Sequence, residues 1–430
     1  MGSTTSRAAI VAAARTPIGT ARRGTLANVP AVELAKPVVA AVLERSGLSA
    51  ADFDDLVLAE SLQGGGDSAR YVAVDLGLTN VPGLAVNRQC ASSLSAIAVG
   101  AGQIAAGRVD LGLTNVPGLA VNRQCASSLS AIAVGAGQIA AGMSRAILAG
   151  GTESCSTGPI MQKRKPFTSG KSPEDYEQWF PFSHPPTEDA PALDMSITVA
   201  HNCAVQYGIT REVQDEWALR SHQRAVKAID AGSFVDEIVP IRVPQADGTT
   251  ITFATDEHPR RDSSLETLAG LKVLHPEIEG FTVTAGNSSG VNDAAAAVAL
   301  TSPDTSGEVL AHVLSWSAVG VAPNRTGSGP ITAIPKALDL AGRKLEDVAL
   351  FEINEAFAAQ AVACSRELGL DEDIVNVYGS GISLGHPIAA TGARMVTSAI
   401  YELRRRGGGL GVLSMCAGGG MGAAMVIEVS

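Results

Sequence analysis

Apolar residues fall along this chain in two alternating patterns. Residues 8–14 form an unbroken apolar run of strand length, which predicts a strand buried on both faces, and Arg15-Thr-Pro-Ile-Gly19 predicts the turn that leaves it. Apolar positions then recur at helical spacing over residues 32–48, and residues 55–62 predict a second strand. Further on, Leu-Ala-Val-Asn predicts a short strand and Ala-Ser-Ser-Leu-Ser-Ala-Ile-Ala-Val the start of a helix. Residues 145–151 then predict a buried strand ending in Gly-Gly-Thr-Glu. From about residue 154 to 280, prolines, aromatics and charges replace the alanine-rich texture, and residues 211–231 predict a helix within that stretch. The apolar pattern resumes near Phe281 and continues over 308–430 as alternating strands and helices. Two α/β halves flanking an inserted segment are the expected organisation.

The short strand and its helix are written twice. Residues 74–107 recur letter for letter as residues 109–142, with only Arg108 between them. Stacked-repeat folds use several imperfect copies, so a single perfect pair in an otherwise non-repeating chain reads as a recent duplication or a sequence-assembly error. Each copy holds one cysteine, Cys90 or Cys125, at the junction between strand and helix. Unpaired N–H groups and the helix dipole favour a thiolate there, which makes either thiol a candidate nucleophile. The plainer reading is that both are small buried hydrophobes. Cys125 is preferred because its helix runs directly into the strand at 145–151, which would leave residues 74–108 as an insertion ahead of it.

Composition narrows the class. With 46% hydrophobic and 17% charged residues among 430, the chain can bury a large core in two or three domain-sized units. A net charge of −11 argues against a nucleic-acid binder. The local cluster Lys163-Arg164-Lys165 reads either as solvated surface or as a contact for a small phosphorylated ligand. Six cysteines (90, 125, 155, 203, 364 and 416) show no CxxC pair and no zinc-type spacing, so neither a disulfide scaffold nor a metal site is expected. No apolar stretch reads as a membrane span and no basic-then-apolar leader precedes the first strand, so a cytoplasmic enzyme is expected.

Two further sites carry chemistry. His386 stands in Gly385-His386-Pro387, and Cys416 opens Cys416-Ala-Gly-Gly-Gly420, whose glycines let backbone N–H groups approach a ligand as an oxyanion site requires. Taken singly, Gly-His-Pro can be a turn and a glycine-rich end can close a strand.

In combination these segments resemble the thiolases, the acetyl-CoA acetyltransferases and 3-ketoacyl-CoA thiolases. The resemblance runs through Arg15-Thr-Pro-Ile-Gly19, Gly150-Gly-Thr-Glu-Ser154, Asp256-Glu-His-Pro-Arg260, Thr282-Val-Thr-Ala-Gly-Asn-Ser-Ser-Gly-Val-Asn-Asp293, Asn354-Glu-Ala-Phe357, Gly385-His-Pro387 and Cys416-Ala-Gly-Gly-Gly420. It implies a five-layer αβαβα fold of two similar halves, residues 1–300 and 308–430. The first would contain the doubled segment 74–142 and a loop domain over about 154–280. It implies ping-pong acyl transfer with coenzyme A as co-substrate, 3-ketoacyl-CoA or acyl-CoA as substrate, no permanently bound cofactor, and a homodimer or homotetramer. Cys125 (or Cys90) would be the nucleophile, His386 its base, and Cys416 the acid and base for the departing carbanion and incoming thiol. Asn354 would hold a water that stabilises the thioester enolate with His386. The nucleophile's own N–H and that of Gly418 would form a second oxyanion site, and Ser289 would touch the pantetheine arm. On residues alone, Asn354 also reads as the cap of a helix beginning at Glu355, and Ser289 as a turn residue.

The chain departs from the family in places. Short-chain biosynthetic thiolases carry His-Met-Gly where this chain reads Asp194-Met195-Ser196, and the family's Met-Gly-x-Gly-Pro appears as Thr326-Gly327-Ser328-Gly329-Pro330. Both weigh against an acetoacetyl-CoA assignment. Two alternatives stand beside acyl transfer. One is an inactive CoA-binding thiolase relative in which the doubling has displaced the nucleophile. The other is a decarboxylating ketoacyl synthase, a class that pairs one cysteine with two histidines and so fits Cys416 less well.

Overall fold

Unbroken apolar runs become strands with both faces covered, and helically spaced runs become the helices that cover them. The computed structural model describes residues 8–59, 84–86, 124–179, 184–302 and 308–430. In chain order the first half supplies strand β1 (Ala9–Arg15), helix α1 (Ala31–Ser46), β2 (Asp55–Ala59), β3 (Leu84–Val86), α2 (Ser127–Ala140), β4 (Ala146–Ser154), α3 (Arg211–Asp230) and β5 (Asn292–Thr301). The second half supplies β6 (Ala311–Gly320), α4 (Gly329–Ala341), β7 (Val348–Ile353), α5 (Ala358–Glu367), α6 (Thr391–Arg405), β8 (Gly409–Ala417) and β9 (Met421–Val429).

The two halves repeat one topology. The first runs β3-β2-β4-β5-β1 and the second β7-β8-β9-β6, and the halves join where Ala9 and Ile10 of β1 pair with His312 and Ala311 of β6. In each half the central pair is parallel (β2 with β4, β7 with β8) and the next two pairings are antiparallel. The slot that β3 fills beside β2 is held in the second half by a single parallel bridge, Phe351 to Val375.

Five layers follow from which side chains share a core. Between the two halves lies one continuous apolar cluster built from α2, α6 and the inward residues of both sheets, such as Ile10, Ile147, Val298, Val313, Leu413 and Met425. Outside the first half, α1 buries Leu34, Val38 and Val42 on the opposite face of β1, β2, β4 and β5. Outside the second, α4 and α5 cover β7, β8 and β9. Residues between β4 and β5 contribute α3 and two separate hairpins, Gln162–Arg164 with Tyr176–Gln178 and Ile241–Pro244 with Thr250–Phe253. Among the described residues no helix is long and apolar enough to cross a membrane.

The doubled segment is divided between elements. Strand β3 comes from the first copy, paired with Val57, Leu58 and Ala59 of β2, whereas α2 comes from the second copy and leads into β4. This corrects the expectation that residues 74–108 would form an insertion ahead of the working unit. Their Leu84–Val86 stretch occupies the sheet, and the added length falls between β3 and α2. The two copies offer the same Leu-Ala-Val letters, so no side-chain preference opposes this choice.

The inner helices cross near their N-termini. The Ala393 N–H donates to the Ser128 hydroxyl at 2.7 Å, and Gly392 lies so close to α2 that a Cβ there would stand 2.4 Å from the Leu129 nitrogen. Gly392→Ala is therefore expected to cost about 1–3 kcal/mol of stability by overpacking. Gly320→Ala, at a site with nothing within 4 Å of the new methyl group, should stay within about 0.5 kcal/mol. Urea denaturation of the two variants checks the contrast.

Candidate active site

Both inner helices begin at one end of the central layer, and the candidate residues gather there. Cys125 lies in the single 3₁₀ turn Gln124–Ala126 that opens α2, half-buried against the inner core. That turn packs against the start of α6 and against β8. Cys90 falls outside the described residues.

His386 precedes α6 and is buried. Its backbone N–H donates to the Asn292 Oδ1 at 3.0 Å, and Asn292 in turn donates to the Gly19 carbonyl at 3.1 Å. The imidazole Nδ1 lies 2.7 Å from the Thr391 hydroxyl, and that hydroxyl donates its one proton to the Pro387 carbonyl at 2.9 Å. The Nδ1 must then carry a proton and donate it to Thr391, which leaves the lone pair on Nε2. The Asn354 amide nitrogen sits 3.5 Å from that Nε2. Burial, reinforced by the Arg394 cation, pushes the imidazole pKa down to about 3. The ring is thus a neutral base with its acceptor face toward Asn354.

Asn354 follows β7 directly and is fully buried, with its N–H on the Ser414 carbonyl at 2.9 Å. It caps no helix: α5 starts at Ala358 with Phe357 in the cap position. Its Oδ1 has no hydrogen-bond partner among the described residues, an expensive state for a buried acceptor. The next residue, Glu355, anchors the segment. Its carboxylate accepts from Trp217 Nε1 (3.0 Å), Ser221 Oγ (2.6 Å), Asn376 Nδ2 (3.0 Å) and the Ile382 N–H (3.3 Å). Ser289, half-buried, donates its N–H to the Ala356 carbonyl at 3.0 Å, which brings the 285–291 loop alongside Asn354–Phe357.

Cys416 is the penultimate residue of β8 and is buried against Val199, Ala356, Met195 and Phe357. Gly418 lies in the buried turn between β8 and β9. Two other thiols behave differently. Cys203 and Cys364 sit in the outer core of the second half, where burial pushes both thiols up, Cys364 to about 12. The plain reading of a buried small hydrophobe fits these two.

Several segments that stood out in the sequence hold the chain together away from this point. Arg15, fully buried, binds Asp256 through two bonds of 2.8 and 2.9 Å and Glu237 at 2.6 Å. Glu257 accepts from the Thr20 and Thr25 N–H groups at 2.7 and 2.9 Å. The Lys163–Lys165 cluster is exposed on a hairpin, with Lys163 paired to Glu177 at 3.3 Å and Lys165 on the Glu174 carbonyl at 2.8 Å. Sequence reasoning missed Ser128, Asn292, Glu355 and Thr391 as supports. Asn292 and Glu355 lie inside stretches already singled out, and Thr391 stands one helical turn beyond Pro387.

Comparison with known proteins gives this geometry a context. The family model for the thiolase N-terminal domain matches residues 8–115 and 109–304, so each identical segment is covered by one of the two stretches, and the thiolase C-terminal domain model matches residues 307–429. An acetyl-CoA acetyltransferase of Pseudomonas aeruginosa is 38% identical over 97% of this chain and 98% of its own length. The crystal structure of the Bacillus anthracis acetyl-CoA acetyltransferase superimposes with a TM-score of 0.83 at 38% identity, covering 100% of both chains. Human mitochondrial 3-ketoacyl-CoA thiolase in complex with CoA gives 0.81 at 34% identity, covering 99% of this chain and 98% of that one.

The depressed histidine fixes the sign of the pH dependence. Burial holds His386 near 3 and both His222 and His258 near 4 in the folded chain, against about 6.5 unfolded. Below about pH 6.5 the unfolded chain therefore binds protons that the folded chain refuses, and each histidine removes up to about 1.4 kcal/mol of stability per pH unit. Denaturation midpoints should fall steadily from pH 7 to 5. NMR of the imidazole nitrogens should show His386 neutral and protonated at Nδ1 throughout, and a titration near 6.5 would contradict the assignment.

Proposed function

We propose, from the premise that the chain belongs to the thiolase family and is an acyl-CoA C-acyltransferase, that it carries its acyl group on Cys125. The substrate is a 3-ketoacyl-CoA cleaved by CoA, or two acyl-CoA molecules condensed in reverse. The observation that carries the residue assignment is the His386 ring: buried, with Nδ1 engaged by Thr391 and Nε2 beside Asn354, just ahead of the α6 helix that packs against the Cys125 turn.

In the cleavage direction the Cys125 thiol gives its proton to His386 Nε2, and the sulfur attacks the 3-keto carbon. The bond between C2 and C3 breaks, and the electron pair leaves with the acetyl-CoA fragment as an enolate. Cys416 protonates that enolate, and its thiolate then takes the proton of the incoming CoA thiol. CoA sulfur attacks the acyl-cysteine carbonyl, and Cys125 departs to recover the proton from His386. Negative charge develops twice. The enolate oxygen meets His386 and a water oriented by Asn354, and the tetrahedral oxyanion meets the N–H groups of Cys125 and Gly418, each such donor worth roughly 3–4 kcal/mol of barrier. Ser289 lies along the pantetheine arm. We read the chain, on the resemblance, as a cytoplasmic homodimer or homotetramer.

Trapping with acyl-CoA or a limiting alkylating agent, followed by tryptic mass spectrometry, tests the nucleophile. The copies give different peptides, residues 89–108 and 124–145. Label on Cys125 that CoA protects against is the expected result. Label on Cys90 transfers the role to the first copy, and label on neither overturns the acyl-cysteine reading in favour of a non-catalytic CoA binder. His386→Asn should lower kcat by roughly 10²–10⁴-fold with little change in KM.

A further inference from the structure

The turn that carries Gly418 has no side chain of its own to hold it. Residues 418–420 are all glycine, Gly419 and Gly420 have φ of +91° and +82°, and a Cβ on Gly420 would stand 2.2 Å from the Val321 carbonyl oxygen. Such a turn is conformationally free unless something outside it fixes it. Two bonds from the segment after β6 do so. The Val321 N–H donates to the Gly420 carbonyl at 2.7 Å, and the Gly420 N–H donates to the Thr326 hydroxyl at 3.0 Å.

Thr326 is built to receive that bond. It is fully buried in the 3₁₀ segment Pro323–Ser328, and its hydroxyl proton goes to the Pro323 carbonyl at 2.6 Å, which turns a lone pair toward Gly420. The neighbouring Gly327 lies against Cys203 and Val199, and Gly329 against Met421 and Gly422, so the hydroxyl cannot drift. This is the position where the resemblance leads one to expect methionine, whose thioether is only a weak acceptor.

We infer that Thr326 is a positioning residue for acyl transfer, its hydroxyl fixing the 418–420 turn so that the Gly418 N–H is held for the developing oxyanion. The inference rests on the reading of Gly418 as an oxyanion donor. An oxyanion donor acts through its placement in advance of the reaction, and misplacement by about 1 Å can cost on the order of 10²-fold in rate.

Thr326→Val keeps the shape and removes the hydroxyl, and Thr326→Ser keeps the hydroxyl. The valine variant is expected to lose about ten- to a hundredfold in kcat, with KM for CoA and for the 3-ketoacyl-CoA within about twofold of the parent. The serine variant should recover kcat to within about threefold. Hydrogen exchange gives a readout besides activity: the Gly420 amide should be protected in the parent and in the serine variant and exchange faster in the valine variant. A valine variant with parental kcat and a protected Gly420 amide overturns the inference, as does a loss confined to the serine variant, which would mean that the methyl group's packing matters and the hydroxyl does not. Failure of the underlying reading of Gly418 looks different: the Gly420 amide would then lose its protection in the valine variant while kcat stays parental.

Discussion

The contact on which the rest depends is the crossing of α2 and α6. Both helices belong to the central layer, one from each half, and they meet near their N-termini because Gly392 has no side chain and Ala393 N–H reaches the Ser128 hydroxyl. Cys125 stands in the turn that opens one helix, and Thr391, which holds His386, is the first residue of the other. A crossing shifted by one helical turn would carry the histidine about 5.4 Å from its place. The packing of two apolar helices thus also sets where the Cys125 turn and His386 stand relative to each other. Each helix further directs its positive end toward the same point, where an anionic sulfur or oxygen is favoured.

Around that point the structure buries charges at some cost. Arg394, one turn into α6, binds Glu352 of β7 at 3.0 Å and Ser380 at 3.1 Å. Burial pushes the Glu352 carboxyl up to about 7 even beside this partner, so desolvation outweighs the attraction. Such a pair is weak evidence for stability and better evidence for placement. Glu352 lies two residues before Asn354, and Ser380 lies on the segment that leads to His386. Together with the four bonds to Glu355, the pair fixes the ends of β7 and of the 376–386 segment relative to α6. The same guanidinium lowers the proton affinity of His386, adding to the larger effect of burial.

Much of this was legible in the letters. Apolar runs gave β1, β4 and the second-half strands, helical spacing gave α1 and α3, and the order of short motifs identified the thiolase fold of two similar halves. The polar supports were not legible, because their partners lie far apart in the chain. Arg15 and Asp256 are 241 residues apart, and Trp217 and Glu355 are 138. No local pattern encodes such pairings. Asn354 shows the limit in the other direction: a local rule makes it a helix cap, yet three more residues pass before α5 begins, since Glu355 is drawn instead into its buried network.

The doubled segment was misread for a different reason, since identical letters carry no information about which copy an element should use. Connection lengths decide it instead. Taking α2 from the second copy leaves only residues 141–145 before β4, and taking β3 from the first leaves the link from β2 at residues 60–83. Either alternative would lengthen one of these connections by a whole repeat. The chain keeps both short: β3 ends at Val86, and the next described residue is Gln124, one ahead of Cys125. Closing a longer loop costs little, about 0.6 kcal/mol for each doubling of length, so the added chain is tolerated thermodynamically wherever it falls. It adjoins the turn that carries Cys125. Among the described residues the turn is held in register by the Ala393 N–H on the Ser128 hydroxyl, by the packing of α2 against β4 and β5, and by its own packing against α6 and β8.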